Sequence, residues 1–239
     1  MYLSRITVAT EGLDRAALMG LLSGNAYGNH QLLWRLFSEY SERPFLFRQE
    51  LEGERRISDE RRTGEGQGRG MPLFYVLSSV EPQPVPGLLE AESKAFDPKL
   101  ATGQELAFRL RANPCVARRE EGRRRSRRHD VLMDAKRQAK QQGSDDQATI
   151  RAAMDRAAID WLADAQRSQE AGYELLSEPR VDAYQQHSYR RKGHKIRFSS
   201  VDYEGILRVS DPERFRACLQ QGIGRSRAFG CGLWLIKRA

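Results

Sequence analysis

Cysteine is scarce: three in 239 residues, Cys115, Cys218 and Cys231. Three are too few for a disulfide framework, and without a CxxC spacing a zinc site is not expected. Long apolar runs are also missing. A bilayer span needs about 20 consecutive apolar residues, and no stretch comes near that. The opening Met1-Tyr-Leu-Ser-Arg-Ile carries no apolar core of a signal sequence, so no export signal is expected. Aromatics make up only 8% of the chain, and 39% of residues are hydrophobic, enough for one large or two small cores. These absences disfavour a membrane protein and a secreted knot, and leave a soluble, cytoplasmic protein as the expectation.

Basic charge is abundant. Lys and Arg number 40 against 32 Asp and Glu, a formal charge of +8. Its distribution is uneven. Residues 1–103 sum to −2, residues 104–140 to +7, residues 141–184 to −5 and residues 185–239 to +8. Two basic segments therefore flank an acidic one, a pattern that suits a polyanionic partner. In the densest run, from Arg118 to Arg128, every cation is arginine, Arg127 and Arg128 included. The planar guanidinium fork matches phosphate and guanine edges better than a lysine does. The second run, Tyr189 to Phe198, holds Arg190, Arg191, Lys192, Lys195 and Arg197 without one acid. A solvated charged face is the competing reading of such runs.

Hydrophobic periodicity sets out the elements. Tyr2 to Val8 reads as a strand. Asp14 can cap a helix over Ala17, Leu18, Leu21 and Leu22, and Asn29 a second one running to Tyr40. Phe45 to Leu51 alternates as a strand, residues 53–70 are a glycine-rich loop, and Leu73 to Ser78 is a compact apolar strand. Leu88 to Ala95 reads as a short helix, which leaves this half without a visible fourth strand. Leu106, Phe108 and Leu110 begin a second unit. A helix follows on Ile150, Met154, Ala157, Trp161 and Leu162. Two extended stretches, 173–189 and 194–209, are joined by Arg190 to Gly193. Ser210 to Glu213 reads as a capping box, and the chain finishes in a glycine-rich loop and a strand from Leu233. The second half has the order β-α-β-β-α-β of the ferredoxin-like fold. The expectation is an α+β protein of two tandem ferredoxin-like, RNA-recognition-like domains, residues 1–96 and 100–239.

Two places stand out for chemistry. With Asn29 as cap, His30 falls in a first helical turn, where the helix dipole disfavours the imidazolium; such a group can move protons near neutral pH. Tyr27 precedes it on the incoming segment. A histidine on the rim of a core helix is the plain alternative. The second place is Gly222-Ile-Gly224-Arg225-Ser226-Arg227-Ala228-Phe229-Gly230-Cys231-Gly232. This loop follows a helix and precedes a strand, the reverse of a dinucleotide-binding loop. Its glycines admit either a phosphate or a neighbouring strand, and Arg225 and Arg227 add charge.

The two Gly-hydrophobic-Gly groups separated by five residues resemble the glycine-rich signature of the repeat-associated RNA-binding (RAMP) proteins of CRISPR systems. Tyr27-x-x-His30 with Leu33-Trp34-Arg35-Leu36-Phe37, Phe108 to Pro114, Tyr203-Glu-Gly205 and Asp211-Pro-Glu-Arg214 make the chain similar to the CasE family of repeat-processing endoribonucleases of the type I-E Cascade complex. The resemblance implies paired ferredoxin-like domains that hold a CRISPR repeat stem-loop RNA and cut at its base without metal or other cofactor. It implies His30 as catalytic histidine and Tyr27 as its neighbour. It also implies a hairpin from Tyr189 to Phe198 entering the stem groove through Arg190, Arg191 and Lys192, and other Cascade subunits as partners. Lys195, Arg197, Arg127, Arg128, Arg225 and Arg227 complete the expected RNA-binding set. A metal-free ribonuclease can use the substrate's own 2′-hydroxyl, with His30 as acid or base. A non-catalytic RNA-binding subunit with a structural His30 is the alternative.

Overall fold

A computed structural model describes residues 1–9, 26–51, 71–118, 126–191 and 194–239. The expected helix after Asp14, the loop at 53–70, the middle of the arginine run at 119–125 and Lys192 lie outside the described residues. The chain divides into two compact units, Met1–Pro98 with Ala228–Gly230, and Lys99–Arg227 with Cys231–Ala239.

In the first unit, β1 (Tyr2–Val8), β2 (Phe45–Leu51), β3 (Pro72–Ser78) and β4 (Leu89–Ala95) form one antiparallel sheet in the order β2-β3-β1-β4. That order, with β1 and β2 split by β3, is the ferredoxin-like arrangement. Helix α1 (Ala26–Trp34), continued by a 3₁₀ turn over Arg35–Phe37, lies between β1 and β2 in the chain. Leu33, Leu36 and Phe37 bury against Ile6, Phe45, Phe47, Phe74 and Val76. The usual second helix, between β3 and β4, is missing: the intervening residues 79–88 contain Pro82, Pro84 and Pro86 and hold no helix. Proline lacks the N–H that a helix interior needs. The expected helix at 88–95 is the fourth strand. Leu89, Ala91, Ser93 and Ala95 alternate with Glu90, Glu92 and Lys94, and the Ser4 and Ser93 hydroxyls meet at 2.9 Å across the β1–β4 pair. Both faces of β2 and β3 are covered, and on the second an Arg48–Glu50 ion pair at 3.1 Å is itself buried.

The second unit repeats the order with more attached. Strands β5 (Glu105–Ala112), β8 (Tyr173–Leu175), β9 (Arg180–Arg191), β10 (His194–Val209) and β11 (Trp234–Arg238) make a sheet in the order β11-β5-β10-β8, with β9 also on β10. Between β5 and β8 come a hairpin of β6 (Cys115–Arg118) and β7 (Arg127–Asp130) and the helices α2 (Val131–Gln141), α3 (Gln147–Ala163) and α4 (Ala165–Ala171). Helix α5 (Pro212–Gln221) precedes β11. Leu106, Phe108, Leu110 and Ala112 share the buried face with Val201, Tyr203, Leu207 and Val209. Two tyrosines fasten α3 to this sheet: Tyr203 donates to the Ala158 carbonyl at 3.1 Å and Tyr173 to that of Leu162 at 2.6 Å. On the opposite face, register sets charges opposite one another, Arg111 bidentate to Asp202 at 2.7 and 2.8 Å and Arg109 to Glu204 at 2.5 Å.

Three local expectations are corrected. Helix α2 has no counterpart among the expected elements; Asp130 caps it, accepting from Leu132 and Met133 N–H, and also accepts from the Ser199 hydroxyl on β10. The cap of α5 is Asp211, which accepts from Glu213 and Arg214 N–H, rather than Ser210, and Pro212 takes the first helical position. Arg190 and Arg191 belong to β9 itself, not to the connecting turn.

Candidate functional site

His30 occupies the fifth position of α1, so Asn29 is not its cap. Asn29 faces inward instead, 1% exposed, and its Nδ2 donates to Gln49 Oε1 on β2 at 2.6 Å. This bond holds the helix turn against the sheet. The dipole effect expected of a first turn fades beyond that turn, so an aromatic wall sets His30's environment. The imidazole stacks on Phe47 at 6.4 Å and 26°, tilts against Phe45 at 5.9 Å and meets the edge of Trp34 at 6.2 Å. The wall assembles residues from a helix and a strand and could not be read from local spacing. Tyr27 is one turn earlier on α1, at a spacing of three that gives the two positions a common helix face.

The glycine-rich loop is shaped by backbone conformation. Gly222, Gly224, Gly230 and Gly232 all have positive φ, between 72° and 91°, and Ser226 joins them at 58°. Each close approach differs. A Cβ on Gly232 would lie 2.7 Å from the Ile223 carbonyl, one on Gly224 3.1 Å from the Trp161 ring and one on Gly230 3.3 Å from Phe47. The glycines thus serve protein packing at these points. Arg227 donates to the Gly224 carbonyl at 3.1 Å and braces the loop. Arg225 is exposed. Burial pushes the Cys115 thiol up from its usual range, against the opposing charges of Arg225 and Arg128. The loop and β7 therefore bring two of the expected RNA-binding arginines to one place, beside Cys115. Arg127 sits opposite Arg118 in the β6–β7 pair.

The β9–β10 ribbon carries the other basic group. Arg190 pairs with Lys195, and Arg197 with Ser188, so positions 190, 195 and 197 share one face of the ribbon and position 191 belongs to the other. Arg197 is exposed. At the ribbon's base His187 stacks on Phe198 at 4.5 Å and shares a 2.8 Å hydrogen bond with Ser200 Oγ. Burial, with Arg111 adding to it, lowers the His187 pKa from its ordinary value.

One charged knot lies outside the expected set. Asp134, 7% exposed, accepts from Arg118 at 2.8 Å and from Arg137 at 2.9 Å, with His129 Nδ1 at 3.8 Å. It ties the β6–β7 hairpin to α2. The helical spacing of Asp134 and Arg137 is the only part of it visible in sequence. Among the described residues no cluster of three or more His, Cys, Asp or Glu is placed to hold a metal ion, and no helix is long and apolar enough to cross a membrane.

Two sheets in ferredoxin-like strand order, with a histidine set among aromatics, define a tandem ferredoxin-like class of protein. Residues 1–238 match the family described as CRISPR associated protein, and the chain belongs to it. Over 245 residues it is 26% identical to the CRISPR system Cascade subunit CasE of Escherichia coli K12, covering 98% of this chain and 97% of that one. It is 32% identical over 151 residues to the CRISPR-associated endoribonuclease Cse3 of Thermus thermophilus, covering 59% of each. Its structure resembles CRISPR endoribonuclease Cse3 bound to a 19-nucleotide RNA, with a TM-score of 0.67, 26% identity and coverage of 99% of this chain and 100% of that one.

Proposed function

We propose that the protein is a metal-independent endoribonuclease that cuts CRISPR precursor RNA at the base of the repeat stem-loop and stays on the product as a Cascade subunit in the cytoplasm. The observation that carries this reading is His30, held in an aromatic wall by the Asn29–Gln49 bond, in a chain similar over nearly its whole length to a Cascade subunit and to a CRISPR endoribonuclease bound to RNA. Residues 1–96 supply the chemistry and residues 100–239 the grip. The RNA's 2′-oxygen attacks the adjacent phosphorus as it loses its proton, and the P–O5′ bond breaks as the 5′-oxygen gains one. The products are a 2′,3′-cyclic phosphate and a 5′-hydroxyl. His30 carries one of these protons and Tyr27 positions it. Arg128, Arg225 and the ribbon cations hold the phosphates and offset charge that builds on the phosphorane.

The test is cleavage of a repeat hairpin in excess EDTA, beside the same RNA with a single 2′-deoxy nucleotide before the scissile phosphate. The expected result is full cleavage of the first and none of the second, with equal binding. Activity lost in EDTA and restored by magnesium overturns the mechanism. Tight binding with no cleavage of any repeat hairpin supports a purely RNA-binding subunit instead.

A further inference from the structure

We infer that Gly230, in the C-terminal glycine-rich loop, is a positioning residue for His30 and acts through the ring of Phe47. The inference rests on the proposed role of His30 in cleavage. Although Gly230 is distant from His30 in sequence, the segment Ala228–Gly230 packs with residues 1–98 rather than with the chain on either side of it. Gly230 has φ of 83°, and a Cβ there would lie 3.3, 3.7 and 3.8 Å from Cε2, Cζ and Cδ2 of Phe47. Phe47 is 1% exposed and is hemmed in by Phe45 at 6.2 Å and Phe74 at 6.3 Å. The same ring stacks on the His30 imidazole. In such close packing the ring must give by a few tenths of an ångström to admit the added carbon. A methyl group on Gly230 therefore tilts Phe47, and the tilt passes to His30. Proton transfer demands close alignment: a misplacement of about 1 Å can cost roughly 100-fold in rate, so one of a few tenths costs about 3- to 10-fold.

This gives part of the glycine-rich loop a task distinct from holding phosphate. A phosphate-contacting glycine would change RNA affinity when substituted. A glycine that acts through Phe47 changes the cleavage step and leaves affinity alone.

The experiment compares Gly230→Ala, Gly230→Asn, Phe47→Leu and the two double variants in the full chain. Asparagine tolerates positive φ better than alanine yet carries a Cβ, so it separates backbone strain from the contact with the ring. Single-turnover cleavage of a repeat hairpin should fall about 3- to 10-fold in both Gly230 variants, with RNA affinity within about twofold of wild type. In the Phe47→Leu background the Gly230 substitutions should cost less than about 1.5-fold, because the smaller side chain leaves room for the Cβ. The His30 ring-proton NMR signal of the RNA-free protein, assigned with His30→Gln, should move in every Gly230 and Phe47 variant as the ring current over it changes. Multiplying penalties in the double variants, a tenfold loss of affinity, full recovery by Gly230→Asn or an unmoved His30 signal would each overturn the inference. The NMR signal also separates two failures. If His30→Ala still cleaves, the function reading falls, whereas a shifted His30 signal still establishes the coupling.

Discussion

The two compact units share one strand order and use it differently. Among the described residues the first is sparse: four strands, one helix between the first two, and prolines where the second helix would be. Its share of the chain is slightly acidic: residues 1–98 hold 11 cations and 14 anions, and residues 228–230 none. The second adds three helices, a short hairpin and the long β9–β10 ribbon, and holds both basic segments of the sequence. The sparse unit presents one histidine against a rigid aromatic wall. The elaborated one carries the basic β9–β10 ribbon and the glycine-rich loop with Arg225 and Arg227. The comparison predicts that cutting and gripping respond to different substitutions.

The largest effect should come from His30→Ala. We expect single-turnover cleavage to fall by about 10²–10⁴-fold, the usual worth of a proton-transferring side chain, with repeat-RNA affinity changed less than about tenfold. Wild-type cleavage by this variant would remove the chemistry from the first unit. Next comes the opposite dissociation. Replacing Arg190 and Arg191 together by Ala should weaken hairpin binding by roughly 10- to 30-fold at about 0.15 M salt. It should also flatten the plot of log affinity against log salt by about 1.4–1.8, the loss of two phosphate contacts. An affinity series in salt, with circular dichroism as folding control, checks this. Equal slopes would make the ribbon a solvated face.

Gly232→Ala probes the shared frame rather than either task. Its Cβ would sit 2.7 Å from the Ile223 carbonyl at a φ of 91°. Strain of this kind costs about 1–3 kcal/mol, so thermal melting should drop by several degrees, with cleavage per folded molecule unchanged. An unaltered melting temperature would mean that the loop backbone gives way.

The smallest effect concerns pH. The folded-state pKa of His187 is lowered, chiefly by burial. The unfolded chain therefore binds more protons in the window between that value and about 6.5. The contribution of neutral His187 to stability is present above this window and is lost as the pH falls through it. In His187→Gln the acid-induced decline in melting temperature between about pH 7 and 5 should be shallower than in wild type. Identical pH profiles would show that His187 does not report on folding.

Much of the second unit is legible in the sequence because its strands alternate cleanly and its turns fall at Gly, Pro and Asp. The β5 face of Leu106, Phe108 and Leu110 is buried as its spacing implies. Strand β4 is not legible, because Glu, Ala and Lys have good helix propensity and only pairing with β1 decides between the two periods. Helix α2 is hidden because it follows a dense run of charge, and its cap, Asp130, gains part of its meaning from Ser199, 69 residues away. The position of His30 near a helix start is visible in outline. Its surroundings are not, since Phe45 and Phe47 arrive from a strand. The glycines stand out as special, but whether each meets phosphate or protein depends on long-range packing.

The contact of Gly230 with Phe47 also has a consequence for the order in which the molecule is made. A ribosome releases Met1–Pro98 long before it reaches Ala228, roughly ten seconds earlier at usual rates of elongation. During that interval the nascent sheet β2-β3-β1-β4 can form, yet the ring beside His30 lacks its last neighbour. Strand β5 likewise waits for β11, its partner from Trp234 onward. Both units are thus completed by residues 228–238, so a chain broken off before them holds neither the finished surroundings of Phe47 nor a finished second sheet. Translation through this segment becomes a condition for completing both the surroundings of Phe47 and the second sheet.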